Sequence, residues 1–365
     1  MGVADSLAGF TLKGHRHGAV WEVVQKIERT ENQYGGTFSV GYRARNSKTG
    51  EPAFLKATDM SLLTDDRAGS MFQRMQAAIR MHGFERNIVE LCNGNRMDRI
   101  VSHLDYGETV IVQASGEKEP LFWIAFEWAE WDGRSHRAQV SNYEMSWIAK
   151  AMHNLAIGVA QLHKANICHN DLKPSNILVF DNLMQKIADL GRAVAVDVEC
   201  PHDFENCLGD PRYAAPELIY SEQDERLSTQ ISRRANDLYL LGSMGHYFVT
   251  GTMMTPTIIS KLGPEHRPFS YDGGWGDGFD KVLPYWRNAH GEAMQEMINK
   301  LPKDLQLLNR DYALAFAESI SQLTEPNPLM RGHPLENVQS QGYSVERFIS
   351  LYDRLSVVTA VKNNG

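Results

Sequence analysis

The chain has 365 residues, of which 42% are hydrophobic and 22% charged, which is typical of a soluble globular protein with one large domain or two lobes. A formal charge of −8 argues against a general affinity for nucleic acid, so we expect no nucleic-acid partner. The cysteines at positions 92, 168, 200 and 207 show no C-x-x-C spacing, which argues against a zinc site and a disulfide framework and favours a cytoplasmic protein with reduced thiols.

The first 60 residues predict a tail followed by a small sheet. Residues 1–18 have no hydrophobic periodicity and no apolar run of the kind that a signal peptide needs, so we interpret them as an N-terminal tail. Three strand-like stretches follow at residues 21–27, 37–44 and 52–57, with turn-like segments at residues 34–36 and 46–50. This pattern predicts an antiparallel sheet.

Two helices and one further strand are predicted before residue 165. Residues 68–93 have a helical pattern, and the positions expected to be buried are Met71, Met75, Ala78, Ile79, Ile88 and Leu91. Residues 121–129 form an apolar strand, and residues 143–163 predict a second helix with apolar side chains at helical spacing. This helix leads into the stretch that holds the most informative residues.

That stretch combines an acid, an amine and an amide, Asp171, Lys173 and Asn176, and a hairpin then leads to Asp189. Asp171 is suited to holding a substrate hydroxyl in line with a γ-phosphate and taking its proton, and Lys173 to neutralising charge on the transferring group. Oxygens of Asn176 and Asp189 suit Mg²⁺, a hard cation that takes only one or two protein carboxylates. These four residues predict phosphoryl transfer.

Two motifs in this region resemble those of a known family. Residues 169–176 (HNDLKPSN) resemble the catalytic loop H-R-D-L-K-P-x-N of eukaryotic-like serine/threonine protein kinases, and residues 189–191 (DLG) stand where D-F-G is usual. The resemblance implies an α+β, bilobal protein kinase fold. It places a small antiparallel sheet with one main helix in an N-lobe, residues 19–128, and a larger, mostly helical C-lobe at residues 129–365.

The same resemblance assigns a glycine-rich loop that closes over the phosphates of ATP. Gly36 matches its second glycine, whereas Tyr34 and Ser39 stand where the first and third glycines are usual. Val40, at the start of the following strand, is assigned to the nucleotide site with Gly36. Two missing glycines make this loop a degenerate copy of the family's.

A lysine on the third strand is the second nucleotide contact that the resemblance implies. Lys56 follows two apolar residues, as in the family's V-A-I-K, and would contact the α- and β-phosphates. The family pairs this lysine with a glutamate on the main N-lobe helix. Glu85 and Glu90 are both candidates, and the sequence leaves open which of them, if either, forms the pair.

Residues 121–129 match the family's last sheet strand and hinge. By that resemblance Phe126 is the gatekeeper, main-chain groups of Glu127 and Ala129 would bond adenine, and Asp132 would reach a ribose hydroxyl. A core strand with tryptophans is the alternative interpretation of this stretch.

Three later motifs resemble those that separate protein kinases from small-molecule phosphotransferases. Residues 209–217 resemble G-T-P-x-Y-x-A-P-E, residues 237–242 resemble a D-x-x-x-x-G that opens a buried helix, and residues 327–331 resemble D-P-x-x-R. In the family the last Arg pairs with the Glu of A-P-E, so the resemblance implies an ion pair between Glu217 and Arg331. A kinase of small molecules is therefore disfavoured.

Two segments of the C-lobe need separate interpretation. Residues 238–260 contain no Asp, Glu, Lys or Arg, but their Gly, Ser, Thr, His and Pro content favours a buried core helix over a membrane span, so we expect no membrane partner. Residues 252–312 match no family motif. Such an enlargement either docks a substrate or partner or is decoration of one lineage.

Departures from the family pattern bear on regulation. Asn170 replaces the Arg that normally pairs with a phosphate on the activation segment, and residues 191–217 contain no Ser or Thr. We therefore hypothesise that activity does not depend on phosphorylation of this segment. Asp210 replaces a Thr and would either bind Lys173 or raise the pKa of Asp171.

The leading hypothesis is an active serine/threonine protein kinase that uses ATP and Mg²⁺ on a protein substrate, with autophosphorylation as a further expectation. The alternative is a pseudokinase, a scaffold or nucleotide-binding interaction module. The degenerate glycine loop and the unassigned helix glutamate support the alternative, whereas the presence of Lys56, Asp171, Asn176 and Asp189 opposes it.

Overall fold

The computed structural model describes residues 3–16, 18–28, 39–59, 71–112, 116, 118–140, 142–196, 198–201, 207–220, 229–303, 310–338 and 343–363. The chain divides into two compact units, Met1–Glu130 and Trp131–Gly365. The first unit is rich in strands and the second is mostly helical, as the resemblance implied. The boundary lies between residues 130 and 131, whereas the sequence predicts it between residues 128 and 129.

The first unit is built on a six-stranded antiparallel sheet. Its strands are β1 (Thr11–Lys13), β2 (Val20–Lys26), β3 (Ser39–Asn46), β4 (Pro52–Thr58), β5 (His103–Val112) and β6 (Lys118–Glu127), in the order β1-β2-β3-β4-β6-β5. Because side chains alternate along each strand, one face of the sheet collects apolar residues into a core. This core includes Trp21, Tyr42, Leu55 and Trp123.

The N-terminal residues belong to this unit, so the prediction of a tail at residues 1–18 is wrong. Val3 and Leu7 are buried in the core, and β1 extends the sheet. The hydroxyl of Tyr42 donates to the carbonyl of Ala4 at 2.7 Å and accepts from the N–H of Leu7 at 3.2 Å. A short helical turn followed by a three-residue strand is too brief to produce a hydrophobic periodicity, so neither element is visible in the sequence pattern.

A single long helix, α1 (Met71–Gly94), packs against β5 and β6. The predicted burial of Ile79 and Leu91 is wrong, because these side chains are 45% and 39% exposed. The buried stripe instead contains Ala78, Glu85 and Cys92, which recur at the helical period. Because this stripe includes the charged residue Glu85, the pattern of apolar residues does not show which face of α1 is buried.

Nine helices and five short strands build the described part of the second unit. The helices are α2 (Gly133–Gln139), α3 (Met145–Lys164), α4 (Pro216–Ile219), α5 (Thr229–Thr250), α6 (Met254–Lys261), α7 (Phe279–Asn299), α8 (Arg310–Leu323), α9 (Pro334–Val338) and α10 (Glu346–Asn363). The strands are β7 (Trp131–Asp132), β8 (Ile167–Cys168), β9 (Ile177–Val179), β10 (Gln185–Ile187) and β11 (Val194–Ala195). Helices α3 and α5 pack together in the interior, and α10 lies along α3.

The uncharged stretch at residues 238–260 forms two helices rather than one. Gly251, at a φ of 85°, ends α5, and α6 begins at Met254. Leu238, Leu241 and Phe248 are buried within the second unit. Among the described residues, no helix combines the length and the apolar character needed to cross a bilayer.

Candidate active site

The catalytic loop lies between β8 and β9, and it gathers the predicted residues of the second unit around Asp171. Lys173 Nζ donates to Asp171 Oδ2 at 2.7 Å. Asn176 Nδ2 donates to the main-chain oxygen of Asp171 at 2.9 Å and to Oδ2 at 3.2 Å. All three side chains are buried, so the hydrogen bonds fix the carboxylate in one orientation.

Asp237, on α5, holds the backbone of this loop in place. Its carboxylate accepts from the main-chain N–H groups of His169 at 2.8 Å and Asn170 at 2.7 Å. Asn170 has a φ of 63°, a conformation that Asn tolerates better than most residues. The side-chain amide of Asn170 donates from Nδ2 to the carbonyl of Cys168 at 3.1 Å. A buried carboxylate thus defines the turn that directs Asp171.

Gly209, in the segment before α4, packs directly against the main chain of the catalytic loop. A Cβ atom on Gly209 would lie 2.2 Å from the main-chain oxygen of Asn170, so no larger residue fits. This approach brings the N–H of Asp210 within 2.9 Å of Asp171 Oδ1. Asp171 therefore has hydrogen-bond donors at both carboxylate oxygens.

The side chain of Asp210 is hydrogen-bonded by Arg212 rather than by Lys173, whose binding was one of the two roles expected from the sequence. Its carboxylate pairs with Arg212, which donates from Nε at 2.9 Å. Burial raises the pKa of Asp210, but the hydrogen bonds from Arg212 and the charge of Lys173 outweigh burial, so the pKa lies below its ordinary value. The residue therefore contacts Asp171 through its main chain and stays ionised.

The β9–β10 hairpin brings the two predicted metal ligands together. The N–H of Ala188 donates to the main-chain oxygen of Asn176 at 2.8 Å, so Asp189, the next residue, lies beside the end of the catalytic loop. Asp189 has a φ of 63°, which turns the chain at this point. One carboxylate and one amide, with room left for waters and phosphate oxygens in the coordination shell, fit the requirements of Mg²⁺.

In the first unit, Lys56 is paired with Glu85. Lys56 Nζ lies 2.7 Å from Oε1 and 3.0 Å from Oε2 of the glutamate. The side chains are 19% and 11% exposed, so the pair is largely shielded from solvent. Of the two candidates left open by the sequence, the structure therefore selects Glu85 over Glu90.

Val40 does not share the face of the sheet that carries Lys56, so its assignment to the nucleotide site is wrong. Val40 pairs with Ala57 and points into the core, whereas Gly41 pairs with Lys56. Adjacent residues of a strand point to opposite faces, so an error of one position reverses the assignment. Gly36, Tyr34 and the remainder of the predicted glycine-rich loop up to residue 38 lie outside the described residues.

The predicted hinge residues are engaged in local hydrogen bonds. The N–H of Glu127 donates to the carbonyl of Ser102 at 3.0 Å, and its Oε1 accepts from the N–H of Ser102 at 2.6 Å. Ala129 is half-buried. Asp132 caps α2, with Oδ1 accepting from the N–H groups of Arg134 and Ser135 at 2.8 Å each. The contacts of these residues with a nucleotide remain predictions.

The ion pair implied for the second unit is present. Arg331 donates from Nη1 to Glu217 Oε1 at 2.7 Å and from Nη2 to Oε2 at 2.9 Å. The two side chains are fully buried, and Arg331 also donates to main-chain carbonyls of Ala235 and Pro326. This bidentate pair ties the segment that contacts Asp171 to the helical core.

Sequence reasoning missed two residues that support the site. Asp237 was noted only as the start of a helix motif, and Gly209 only as part of another. The signal for Asp237 was an acid among the apolar residues of a buried helix, since such a charge needs partners. The role of Gly209 has no signal in a single sequence, because the atom it avoids, the oxygen of Asn170, is 39 positions away.

Comparison with known proteins agrees with this geometry. The chain matches the protein kinase domain family over residues 33–263. Cyclin-dependent kinase 9 of Xenopus tropicalis is 26% identical over 210 residues, which cover 55% of this chain and 52% of the relative. Cyclin-dependent kinase B2-1 of Arabidopsis thaliana is 33% identical over 200 residues, covering 53% and 58%.

A third relative is CBL-interacting protein kinase 26 of Oryza sativa subsp. japonica, which is 26% identical over 186 residues, covering 50% of this chain and 33% of the relative. The chain spans about half the length of the two cyclin-dependent kinases and about a third of the other relative. The family match covers more than half of the chain and includes Lys56, Asp171, Asn176 and Asp189. The α+β protein kinase fold is thereby confirmed, and the chain belongs to the protein kinase domain family.

Proposed function

We propose that the protein is a serine/threonine protein kinase that transfers the γ-phosphoryl group of ATP, with Mg²⁺, to a hydroxyl of a protein substrate. One observation supports this most strongly. The carboxylate of Asp171 is oriented by Lys173, Asn176 and the N–H of Asp210, at distances of 2.7 to 3.2 Å. These donors hold the carboxylate in one orientation beside Lys173, as a group that accepts a proton from a substrate hydroxyl requires.

In this proposal Asp171 accepts the proton of the acceptor hydroxyl as that oxygen attacks the γ-phosphorus. Its hydrogen-bond donors hold the carboxylate in one orientation. Lys173, whose amine already lies at the carboxylate, neutralises charge on the transferring group. When bound, Mg²⁺ neutralises charge on the phosphates, and Asn176 and Asp189 would hold it.

Lys56 supplies the remaining contact, to the α- and β-phosphates. Glu85 holds its amine in one place, which lowers the entropic cost of placing a cation at the phosphates. Lys173 and the hydrogen-bonded catalytic loop favour a serine or threonine acceptor, because they resemble those of serine/threonine kinases.

Four free cysteines support a further proposal, that the protein works in a reducing, cytoplasmic compartment.

We also propose that activity does not require phosphorylation of the activation segment. Asn170 is buried and donates to Cys168, so it offers no cation to a phosphate. The segment instead carries carboxylates, at Asp197, Glu199, Asp203, Glu205 and Asp210. The side chain of Glu199 is exposed, and Asp197, Asp203 and Glu205 lie outside the described residues. Phosphate in this segment, together with activity lost after phosphatase treatment, would refute the proposal.

The second candidate, a pseudokinase scaffold, has lost one of its two supports. The helix glutamate that the sequence left unassigned is present as Glu85. The degenerate glycine loop remains an argument for this candidate.

Incubation with radiolabelled ATP and Mg²⁺ separates the two candidates. We expect the wild type to label a protein substrate, or itself, and Asp171→Ala to reduce turnover by about 10² to 10⁴ while nucleotide affinity changes little. A variant that keeps near-normal phosphorylation would overturn the assignment of Asp171. Nucleotide binding without any transfer by the wild type would favour the scaffold.

A further inference from the structure

We infer that the turn at residues 268–272, in the enlarged region that matches no family motif, recognises the polypeptide substrate through Phe269. This inference rests on the proposed function. It adds a substrate class: a segment with an apolar side chain and neighbouring Lys or Arg residues, close to the acceptor hydroxyl. Three features of the turn support it: a hydrogen-bonded link to Asp171, a conformation held by internal hydrogen bonds, and an exposed aromatic ring among acidic side chains.

Two hydrogen bonds link the turn to the catalytic carboxylate. Tyr271 donates from its hydroxyl to the carbonyl of Pro211 at 3.2 Å. Asp210, the residue before Pro211, donates from its N–H to Asp171 Oδ1 at 2.9 Å. We therefore expect a polypeptide whose hydroxyl reaches Asp171 to meet the 268–272 turn within about five residues, since an extended chain advances about 3.3 to 3.6 Å per residue.

The turn is held rigidly by its own hydrogen bonds. Pro268 is buried, and its carbonyl accepts from the N–H groups of Tyr271 at 2.9 Å and Gly273 at 3.2 Å. A Cβ atom on Gly273 would lie 2.1 Å from the carbonyl oxygen of Arg267, so only glycine allows the chain to close here. His266, just before the turn, stacks on Tyr285 of α7 at 3.6 Å between ring centroids.

This rigid turn presents an aromatic ring to solvent. Phe269 is 71% exposed, the highest value among the large apolar side chains that the structure describes. Gly276 lies beside the ring, since a Cβ atom there would be 3.9 Å from it, and as a glycine it has no side chain to cover the ring. Rigid aromatic side chains are the commonest anchors of protein recognition, because little conformational entropy is lost on binding.

The surroundings of Phe269 are acidic. The side chains of Glu265, Asp272, Asp277 and Asp280 are all exposed, and Lys281 of α7 offsets one of them through an ion pair with Asp277 at 3.4 Å. The Arg267 side chain donates to the carbonyl of Leu262 at 2.9 Å and is directed back to the protein, so it does little to offset these charges at the surface. Charge complementarity therefore favours a partner segment that carries Lys or Arg beside its apolar residue.

A library of serine- and threonine-containing peptides, each with one fixed position, tests this inference with ATP and Mg²⁺. We expect the wild type to prefer apolar and basic residues within about five positions of the acceptor. Phe269→Ala should remove the apolar preference and raise the KM of the best peptide about tenfold, with kcat unchanged. Asp272→Asn combined with Asp277→Asn should remove the basic preference only.

Val357→Ala is the matched control, because Val357 is also an exposed apolar residue, at 57%, but lies on α10. It should leave the peptide profile as in the wild type. If Phe269→Ala phosphorylates peptides with the wild-type profile and KM, the inference is overturned while the proposed function stands. If the wild type transfers phosphate to no peptide or protein, the proposed function fails and the inference falls with it.

Discussion

Lys56 and Glu85 form a shielded ion pair, with the amine 2.7 Å from one carboxylate oxygen and 3.0 Å from the other. The pair joins β4 to α1 and places the lysine amine at a defined point on the sheet. Both partners belong to the first unit, so the pair does not need a bound nucleotide in order to form. Its removal should therefore affect stability as well as nucleotide affinity.

Glu85→Gln keeps the shape of the side chain and removes its charge. We expect a stability loss of about 1 to 3 kcal/mol, since the hydrogen bonds lost are those to a charged group, and weaker ATP binding because the lysine is no longer held. Thermal unfolding and nucleotide titration measure the two effects. Glu90→Gln, on the same helix but only half-buried, is the control and should change neither.

Gly209→Ala should displace the segment that contacts Asp171. The added methyl group would lie 2.2 Å from the oxygen of Asn170, so the chain has to move and the N–H of Asp210 leaves the carboxylate. We expect a fall in kcat of about tenfold or more, with a smaller change in the KM for ATP. Gly291→Ala, an open position on α7, should leave kcat unchanged and slightly stabilise the helix. Equal kinetics for the two variants would contradict the role given to Gly209.

The Glu217–Arg331 pair should dominate the stability of the second unit. Arg331→Met leaves a buried carboxylate without its partner, which costs about 3 to 5 kcal/mol. Chemical denaturation measures this loss. Arg287→Ala removes one partner of a largely exposed pair with Glu325 and should cost only about 0 to 1 kcal/mol. A loss for Arg331→Met no larger than the control's would be inconsistent with this view of the pair.

His82, on α1 near Lys56, should make the first unit sensitive to acid. Burial, helped by the positive charges of Arg86 and Lys56, lowers the pKa of His82 from 6.5 to about 4. The unfolded chain therefore binds a proton that the folded chain does not between these values, so stability is complete above about pH 6.5 and is lost as the pH falls toward 4.

His82→Phe removes this titration. Between pH 7 and pH 5 the wild type should lose roughly 1 to 2 kcal/mol more stability than the variant, because one pKa unit corresponds to about 1.4 kcal/mol. Denaturant unfolding at the two pH values measures the difference. Val110→Ala, at an exposed position of β5, is the control and should follow the wild type. Parallel pH profiles for wild type and His82→Phe would rule out this contribution.

The parts of the site that the sequence predicted are those whose residues are close together along the chain. Asp171, Lys173 and Asn176 lie within six positions, and their spacing alone indicates a shared loop. Lys56 was found because a strand motif fixes its position. Glu85 could not be chosen over Glu90, because the register of α1 depends on packing against the sheet, and its buried stripe is not purely apolar.

Other features of the fold depend on distant contacts. Leu7 is buried because Tyr42, 35 positions away, provides a hydrogen-bonding partner for the N-terminal segment. The error at Val40 came from a strand register shifted by one residue, which reverses the face on which a side chain lies. Local sequence patterns predict where helices and strands lie. The face on which a side chain lies, and the contacts between residues far apart in the chain, depend on how these elements pack.

Lys56 is proposed to contact the phosphates of ATP, and Asp189 to hold the Mg²⁺ that accompanies it. Calorimetric titration of ATP with and without Mg²⁺ tests this claim most directly, using wild type, Lys56→Met and Asp189→Asn. We predict that the wild type binds ATP more tightly with Mg²⁺, that Lys56→Met weakens binding in both conditions, and that Asp189→Asn abolishes only the gain from Mg²⁺. If the wild type binds no ATP in the presence of Mg²⁺, or if Asp189→Asn keeps the full gain, the claim is contradicted.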